Sequence, residues 1–170
     1  MNTRESAGSR MDSTEERRKA TERLPTKATP TFVHMQAQLP VQGRVDQMLA
    51  ASSHMSVILK TYASGGENAL HAHPNEDHVF LILQGGATFY GPRGETRKVA
   101  KNDCVLIPSG ALYWFAADEG GEALVMARIG ATVDASKDVL ARVDQDGAPC
   151  DAGSEANKEV PLILGNDWFE

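Results

Sequence analysis

The sequence predicts an all-β fold, a sandwich or a barrel. Between residues 31 and 131, short apolar and β-branched segments alternate with clusters of Gly, Pro, Ser and Asp, which is the pattern of strands joined by tight turns. No part of this region shows a sustained helical period. The composition, 41% hydrophobic and 24% charged over 170 residues, is that of a single domain with a core of its own.

The chain divides into three parts by composition. Residues 1–29 are polar and nearly without large apolar side chains, so we expect a flexible arm, with a short helix that starts at a possible Ser13/Glu16 capping box. Residues 30–131 are the predicted barrel. Residues 132–170 form a C-terminal extension whose end, PLILGNDWFE, is apolar again. We expect this tail to pack on the barrel or on a partner subunit, because exposed apolar surface usually marks an interaction.

Charge, hydropathy and cysteine content argue against several classes of protein. The formal net charge of −6 argues against a nucleic-acid partner, which needs a basic surface. No apolar run reaches the ~20 residues of a membrane helix, and the first thirty residues lack the apolar core of a signal peptide. We therefore expect a cytoplasmic protein with a small-molecule substrate and no membrane partner. Cys104 and Cys150 are predicted to be free thiols, with Cys104 buried in the apolar CVLI segment.

The predicted strands follow one another at short intervals. They are TFVHMQ, GRVDQMLAAS, HMSVILKTYA, VFLIL, ATFY, TRKVA, CVLIP, ALYWFAA and EALVMARIG. The run Gly91-Pro92-Arg93-Gly94 predicts the turn between ATFY and TRKVA.

Three of the five histidines lie between Gly65 and Gly85, in GGENALHAHPNEDHVFLILQG. His71 and His73 are two residues apart, so in an extended segment both imidazoles leave the same face. The polar turn that follows predicts a hairpin that returns His78 opposite them. An isolated histidine is usually an ordinary surface or core residue, the interpretation we give His34 and His54. Three clustered imidazoles instead predict a site for Zn, Fe, Mn, Ni or Cu.

This stretch resembles the first motif of the cupin superfamily, G-x5-H-x-H-x4-E-x6-G, with a histidine, His78, where the family usually has Glu. The second motif, G-x5-P-x-G-x2-H-x3-N, is similar to residues 102–117, where Pro108 and Gly110 are kept. Asn102 stands for the first Gly and tolerates a positive φ. Tyr113 stands for the ligand His, and Ala117 for the final Asn.

The resemblance implies a double-stranded β-helix, or jelly roll, with one divalent metal held by His71, His73 and His78. It places Tyr113 near that metal, as a weak ligand, a hydrogen-bond donor to substrate, an acid/base group, or a lining residue only. Glu76 and Asp77 are rival carboxylate ligands, but their turn predicts exposure. By strand alternation, the inward-facing residues that make the pocket apolar are Phe80, Ile82 and Phe115.

Three facial histidines leave up to three positions on an octahedral ion, enough for O2 and a bidentate substrate. Three-His cupins with Fe(II) include dioxygenases of thiols, diketones and gentisate, so similarity to them favours a dioxygenase-like enzyme and Fe(II). On a tetrahedral ion such as Zn the same ligands suit a lyase, isomerase or hydrolase. The alternative of another class is a non-catalytic, metal-dependent small-ligand binding protein or sensor. We also expect a homodimer, because VFLIL is apolar on both faces and dimers are common among cupins.

Overall fold

The structure is a computed structural model that describes residues 9–11, 15, 16, 18, 19, 30–63, 65–151 and 160–170. Within these residues the chain forms strands and irregular segments, and only Glu15, Glu16, Arg18 and Lys19 are helical. The strands are β1 (Ser9–Met11), β2 (Ala37–Gln42), β3 (Arg44–Ala51), β4 (Met55–Tyr62), β5 (Glu76–Gln84), β6 (Gly86–Tyr90), β7 (Thr96–Ala100), β8 (Cys104–Ile107), β9 (Trp114–Ala117), β10 (Leu124–Thr132) and β11 (Ile163–Phe169). The all-β prediction is confirmed.

The strands form three antiparallel sheets. The largest has the order β1-β3-β4-β10-β5-β8, the second is β7-β6-β9, and β11 pairs with β2 in a third. Apolar side chains from the first two sheets share one core cluster, so these sheets pack face to face. This arrangement is the double-stranded β-helix that was predicted.

Strand β5 lies in the large sheet between β10 and the edge strand β8. Its buried positions alternate along the strand, with Glu76, His78, Phe80 and Ile82 all buried. Leu81, on the opposite face, is 36% exposed. The inner face of β5 therefore changes along its length from ionisable to apolar side chains. The buried ionisable side chains lie at one end of the core.

The prediction of a first strand over TFVHMQ is wrong. Residues 31–36 are irregular, and Phe32 is 82% exposed. The strand begins only at Ala37, where the side chain becomes buried. Strand β2 contains Pro40, which is tolerated because β2 pairs on one side only, with β11.

The C-terminal tail packs on the chain's own barrel. Strand β11 pairs with β2, with Leu164 opposite Pro40 and Phe169 opposite Ala37. Phe169 also packs against the apolar cluster that includes Leu59. The homodimer stays a prediction.

The N-terminal arm is described only in part. Strand β1 pairs with β3, at the edge of the large sheet, and Arg18 forms an ion pair of 3.1 Å with Asp138. Glu15, Glu16 and Lys19 are helical, and the other residues of the predicted arm, including Ser13 of the capping box, lie outside the described residues.

The prediction that Cys104 is buried is wrong, because β8 is the edge strand of the large sheet and Cys104 faces solvent. Cys104 and Cys150 are both free thiols, as predicted. In the described part of the chain, no helix is long and apolar enough to cross a membrane.

Gly85, at the end of β5, is expected to tolerate no side chain. Its φ is +67°, and an added Cβ would lie 2.8 Å from the carbonyl oxygen of Glu122. Gly120 has a similar φ of +71° but open space around it. Gly85→Ala should therefore lower the free energy of unfolding by about 1–3 kcal/mol more than Gly120→Ala. Urea unfolding measures both, and equal losses would show that the strand end relaxes around the methyl group.

Candidate metal centre

The segment 71–73 is held by backbone contacts to two other segments. The N–H of His71 donates to the carbonyl of Tyr113 at 3.2 Å, and the N–H of Tyr113 returns a bond to His71 at 3.0 Å. Ala72 exchanges bonds with Val143 in the same way, at 2.8 and 3.0 Å. The predicted histidine hairpin is therefore wrong. Strand β5 pairs instead with β10 and β8 in the large sheet.

The three predicted histidines nevertheless converge. The ring centroids of His71 and His73 are 5.0 Å apart, and those of His73 and His78 are 4.2 Å apart. All three rings are buried. The i, i+2 spacing brings the first two together, and the inward face of β5 supplies the third.

Glu76 lies among the predicted histidines. It is only 3% exposed, although its polar neighbours predicted a solvent-facing turn. Glu76 is the first residue of β5 and shares the inward face of His78, two positions on. Potential ligand atoms of His73, Glu76 and His78 lie within 4.8 Å of one another. The compact group is thus two imidazoles and a carboxylate, with His71 beside it.

The carboxylate of Glu76 occupies space that a glycine leaves open. Gly130 lies opposite His78 in the β5–β10 register, and a Cβ at Gly130 would overlap the Glu76 carboxyl. Arg128, two residues earlier on β10, contacts Glu76 Oε2 and His78 Nε2 with its Nη2. Glu76 Oε1 lies 3.5 Å from the hydroxyl of Ser56. The buried carboxylate is therefore held by a guanidinium and is expected to stay ionised.

Tyr113 reaches the same group of residues. It is 5% exposed, and its hydroxyl is 3.2 Å from Nδ1 of His78. The ring also lies 4.9 Å, centroid to centroid, from that of His71. The phenol therefore lies beside the predicted histidines, on the far side of His78 from Glu76.

The predicted pocket residues lie next to the histidines. The ring centroid of Phe80 is 5.9 Å from those of both His78 and Tyr113. The ring centroid of Phe115 is 6.1 Å from that of Phe80, and Ile82 belongs to the same buried cluster. The end of the site that faces the core is therefore apolar.

The turn of the second motif holds the histidine segment in place. The N–H of Gly110 donates to the carbonyl of His73 at 2.9 Å. Ser109 donates its N–H to the Asp77 carboxylate at 2.6 Å and its hydroxyl to the Pro74 carbonyl at 2.8 Å. Asn102, at the start of the motif, has φ of 77°, as its replacement of Gly predicted.

Burial keeps two of the imidazoles neutral. Desolvation, followed by the nearby Arg142 charge, lowers the pKa of His71 to about 3. Desolvation, followed by the His78 and Arg142 charges, holds the pKa of His73 well below 6.5. A neutral imidazole carries the lone pair that a metal needs.

The tautomer of His71 is set by its surroundings. Its Nδ1 is 2.7 Å from the carbonyl oxygen of Ala69, which can only accept, so Nδ1 carries the proton. The lone pair is then on Nε2, which is buried and has no hydrogen-bond partner among the described residues. The buried Nδ1 of His73 also has none there. Buried nitrogens with unused lone pairs, beside a carboxylate, fit a divalent transition metal.

The cupin domain family matches residues 58–129. This part of the chain is a cupin domain. The match starts in β4 and ends in β10, so it contains both predicted motifs and lies within the predicted barrel, residues 30–131.

Solved structures show the same fold at low identity. A conserved protein of unknown function from Streptococcus pyogenes is 18% identical, with a TM-score of 0.51, and the match covers 65% of this chain and 95% of that one. KdgF from Halomonas is 18% identical, with a TM-score of 0.49, over 60% of this chain and 94% of its own. A cupin superfamily protein from Desulfitobacterium hafniense is 21% identical, with a TM-score of 0.46, over 65% and 95%. No curated protein sequence matches the chain.

We expect the metal-free protein to lose stability as the pH falls below 6.5. Folded His71 stays neutral down to a pKa of about 3, whereas an ordinary imidazole has a pKa of 6.5. The unfolded chain therefore binds more protons between these values, and the free energy of unfolding falls with falling pH. The loss is about 1.4 kcal/mol per pH unit for each such histidine.

Urea unfolding at several pH values, with a chelator present, measures this slope. His71→Gln should remove part of it, whereas His54→Gln, at an exposed position between β3 and β4, should leave it unchanged. Identical slopes in all three proteins would show that folded His71 takes up its proton like an ordinary imidazole.

Proposed function

We propose that this cupin domain binds one divalent transition metal and acts on a small organic substrate. The observation that carries the proposal is the tautomer of His71, because its Nε2 lone pair is buried beside His73 with no donor in the described structure to use it. A lone pair left in this state costs free energy, which a metal would recover.

The donor set combines the sequence prediction with Glu76. His73, Glu76 and His78 would hold the metal, with His71 as a further ligand. A divalent ion at this position would supply Lewis-acid or redox chemistry. The carboxylate adds one negative charge to neutral imidazoles, which favours a divalent cation in a buried site.

Tyr113 is the residue proposed to act on the substrate. Its hydroxyl bonds His78 on one side, at 3.2 Å, and its ring stacks toward Phe89 on the other, with centroids 6.4 Å apart. A phenol fixed in this way can donate a hydrogen bond to bound substrate or transfer a proton to it. Phe80 and Phe115 would accommodate the apolar part of the substrate.

The reaction class follows the sequence prediction. Fe(II) and a dioxygenase-like reaction are favoured by the similarity to three-His cupins, and Zn with lyase, isomerase or hydrolase chemistry is the alternative. The buried carboxylate of Glu76 changes this prediction in one respect, because a fourth protein ligand leaves two positions on an octahedral ion instead of three. The cytoplasmic location stays a prediction.

A second candidate is a small-ligand binding protein without turnover. The contact of Arg128 with Glu76 Oε2 and His78 Nε2 favours it. The guanidinium uses the same two atoms that a metal would use, and a buried Arg–carboxylate pair needs no metal to neutralise it. In an oxygen-electrode screen of the Fe(II)-loaded protein with catechols, diketones and thiols, O2 uptake that depends on both the protein and the substrate would show an oxygenase and exclude the binding protein without turnover.

The metal test uses His73→Gln and Glu76→Gln. Each removes one donor from the compact group, so each should lower the affinity for Zn(II) or anaerobic Fe(II) by about 100-fold or more. Elemental analysis and calorimetric titration measure stoichiometry and affinity. The control is His54→Gln, which should bind metal as the wild type does. If folded His73→Gln keeps the wild-type stoichiometry and affinity, the donor set is wrong.

Tyr113→Phe separates the roles of the phenol. The ring remains, so the fold and its aromatic contacts should persist, and turnover on an identified substrate should fall by about 100-fold. Metal affinity should stay the same if the phenol acts on substrate, and fall if the phenol is a ligand. Unchanged turnover together with unchanged metal affinity would make Tyr113 a lining residue only.

A further inference from the structure

Two strand edges lie side by side at one border of the barrel. Strand β7 is an edge of the three-stranded sheet, and β8 is an edge of the six-stranded sheet. The short turn between them is closed by the N–H of Ala100, which donates to the Asp103 carboxylate at 2.8 Å. Residues 96–99 and 103–106 line a groove of about 730 Å³. This edge groove contains none of the candidate metal ligands.

Both strands present backbone hydrogen-bonding groups at the edge groove. Among the described residues, β7 pairs only with β6, and β8 pairs only with β5. In an antiparallel ladder every second residue directs its N–H and C=O away from the neighbouring strand. At a sheet edge these groups face solvent and can pair with an added strand. The edge groove therefore offers a backbone surface to an extended peptide.

Strand β8 lacks most of the features that protect an edge strand from pairing. Charged side chains, proline and bulges usually block such pairing. The sequence of β8, Cys-Val-Leu-Ile, has neither charge nor proline, and its register with β5 is continuous. Leu106 is 62% exposed, and Cys104 is exposed on the same face. The strand has only four residues, so few backbone bonds can form and side chains must add specificity.

The other wall of the edge groove is positively charged. Arg97 and Lys98 on β7 are exposed, and within the described residues neither side chain has an acidic partner. Lys101 adds an exposed cation in the turn. Asp103, the acid in the lining, already accepts a backbone hydrogen bond. In a chain with a net charge of −6, this local positive charge favours a negatively charged partner.

The side chains of a strand added to β8 would alternate between two environments. Val99 is buried and Val105 packs against the same core cluster, so both close the inner side of the edge groove. Every second side chain of the added strand would lie beside Leu106 on the outer face. The others would point toward β7, where Arg97 and Lys98 line the groove. The edge groove therefore fits a segment in which apolar and acidic residues alternate.

We propose that the edge groove binds an acidic, extended segment of a partner protein as an additional strand on β8. Backbone hydrogen bonds would attach the segment, and the alternation of acidic with apolar side chains would make the interaction specific. The proposal involves neither the metal nor the histidines. Metal titration and peptide titration of the same protein therefore test the two proposals independently.

The probe is a labelled peptide with blocked ends, Gly-Glu-Val-Glu-Val-Glu-Val-Gly, and fluorescence anisotropy with the full chain measures its affinity. We expect it to bind at least about 10-fold more tightly than Gly-Glu-Glu-Glu-Val-Val-Val-Gly, which has the same charge but not the alternation. Its binding should weaken between about 50 and 500 mM NaCl. Equal affinities of the two peptides, or no binding at about 1 mM, would overturn the proposal.

Two variants test the two walls of the edge groove. The double variant Arg97→Gln/Lys98→Gln removes the charges, and Leu106→Ser removes the apolar contact. Each changes only exposed side chains and should lower the affinity for the alternating peptide by about 10-fold. The controls are Arg93→Gln, an exposed cation in the β6–β7 turn, and Val133→Ser, at a position 60% exposed; both should bind as the wild type does. Wild-type affinity in either groove variant would contradict the proposal.

Cys104 reports whether the peptide lies on β8. It is exposed in the lining of the edge groove, whereas Cys150 is a free thiol outside that lining. Saturating peptide should slow the alkylation of Cys104 by iodoacetamide by about 5-fold or more, since alkylation requires access. Cys150 should react at an unchanged rate. Binding that leaves Cys104 unprotected would place the peptide elsewhere and overturn the proposal.

A second copy of this chain is the other occupant that an apolar edge could take. Light scattering of the wild type and of Leu106→Ser distinguishes it. A monomer, or a dimer that persists in Leu106→Ser, leaves the edge groove free, as the proposal requires. A dimer that Leu106→Ser dissociates and that the alternating peptide does not displace would show that β8 pairs with another copy, and the proposal would be wrong.

Discussion

The site depends on one buried carboxylate and the space that admits it. Glu76 lies at the start of β5 and is buried, and burial of an isolated charge would cost several kcal/mol. Two features offset that cost. Gly130 on the neighbouring strand has no side chain, so the carboxyl fits between the strands, and Arg128 supplies a counter-charge from the same strand as Gly130. Substitution at Gly130 would therefore disturb the site through Glu76.

The same cluster connects the apolar core to the candidate metal site. His78 connects Glu76 to Tyr113 through its two ring nitrogens, at 2.9 and 3.2 Å, and Phe80 follows on the same face of β5. Each of these side chains is oriented by its neighbours, because the interior is densely packed. Loss of the Glu76 carboxylate would thus remove one of the contacts that orient His78.

Strand periodicity predicted much of the fold and part of the site. It placed His78, Phe80 and Ile82 on one inward face, and the same alternation continued backwards includes Glu76. The polar sequence Pro74-Asn75-Glu76-Asp77 concealed this, because it has the composition of an exposed turn. The signal that was present for Arg128 is its position as the one charged residue in the apolar segment LVMARIG, since a buried charge requires a partner.

Contacts between distant segments could not be predicted from the sequence. The pairing of Ala72 with Val143 joins residues 71 positions apart, and no local pattern encodes such a register. The hairpin prediction failed for a related reason. A turn after two extended histidines indicates a return of the chain, but it does not specify which strands pair, and β5 forms more apolar contacts between β8 and β10.

The candidate metal site and the segment that follows the barrel are separate in sequence. The cupin match ends at residue 129, and all four candidate metal-binding residues lie inside it. Residues 133–151 lie outside it, and contacts with Asn75 and Ala72 fix this segment to residues 72–75. Loops on a rigid scaffold can change without loss of the core. A change among residues 133–151 would therefore leave the barrel intact and would reach His71 and His73 only through these contacts.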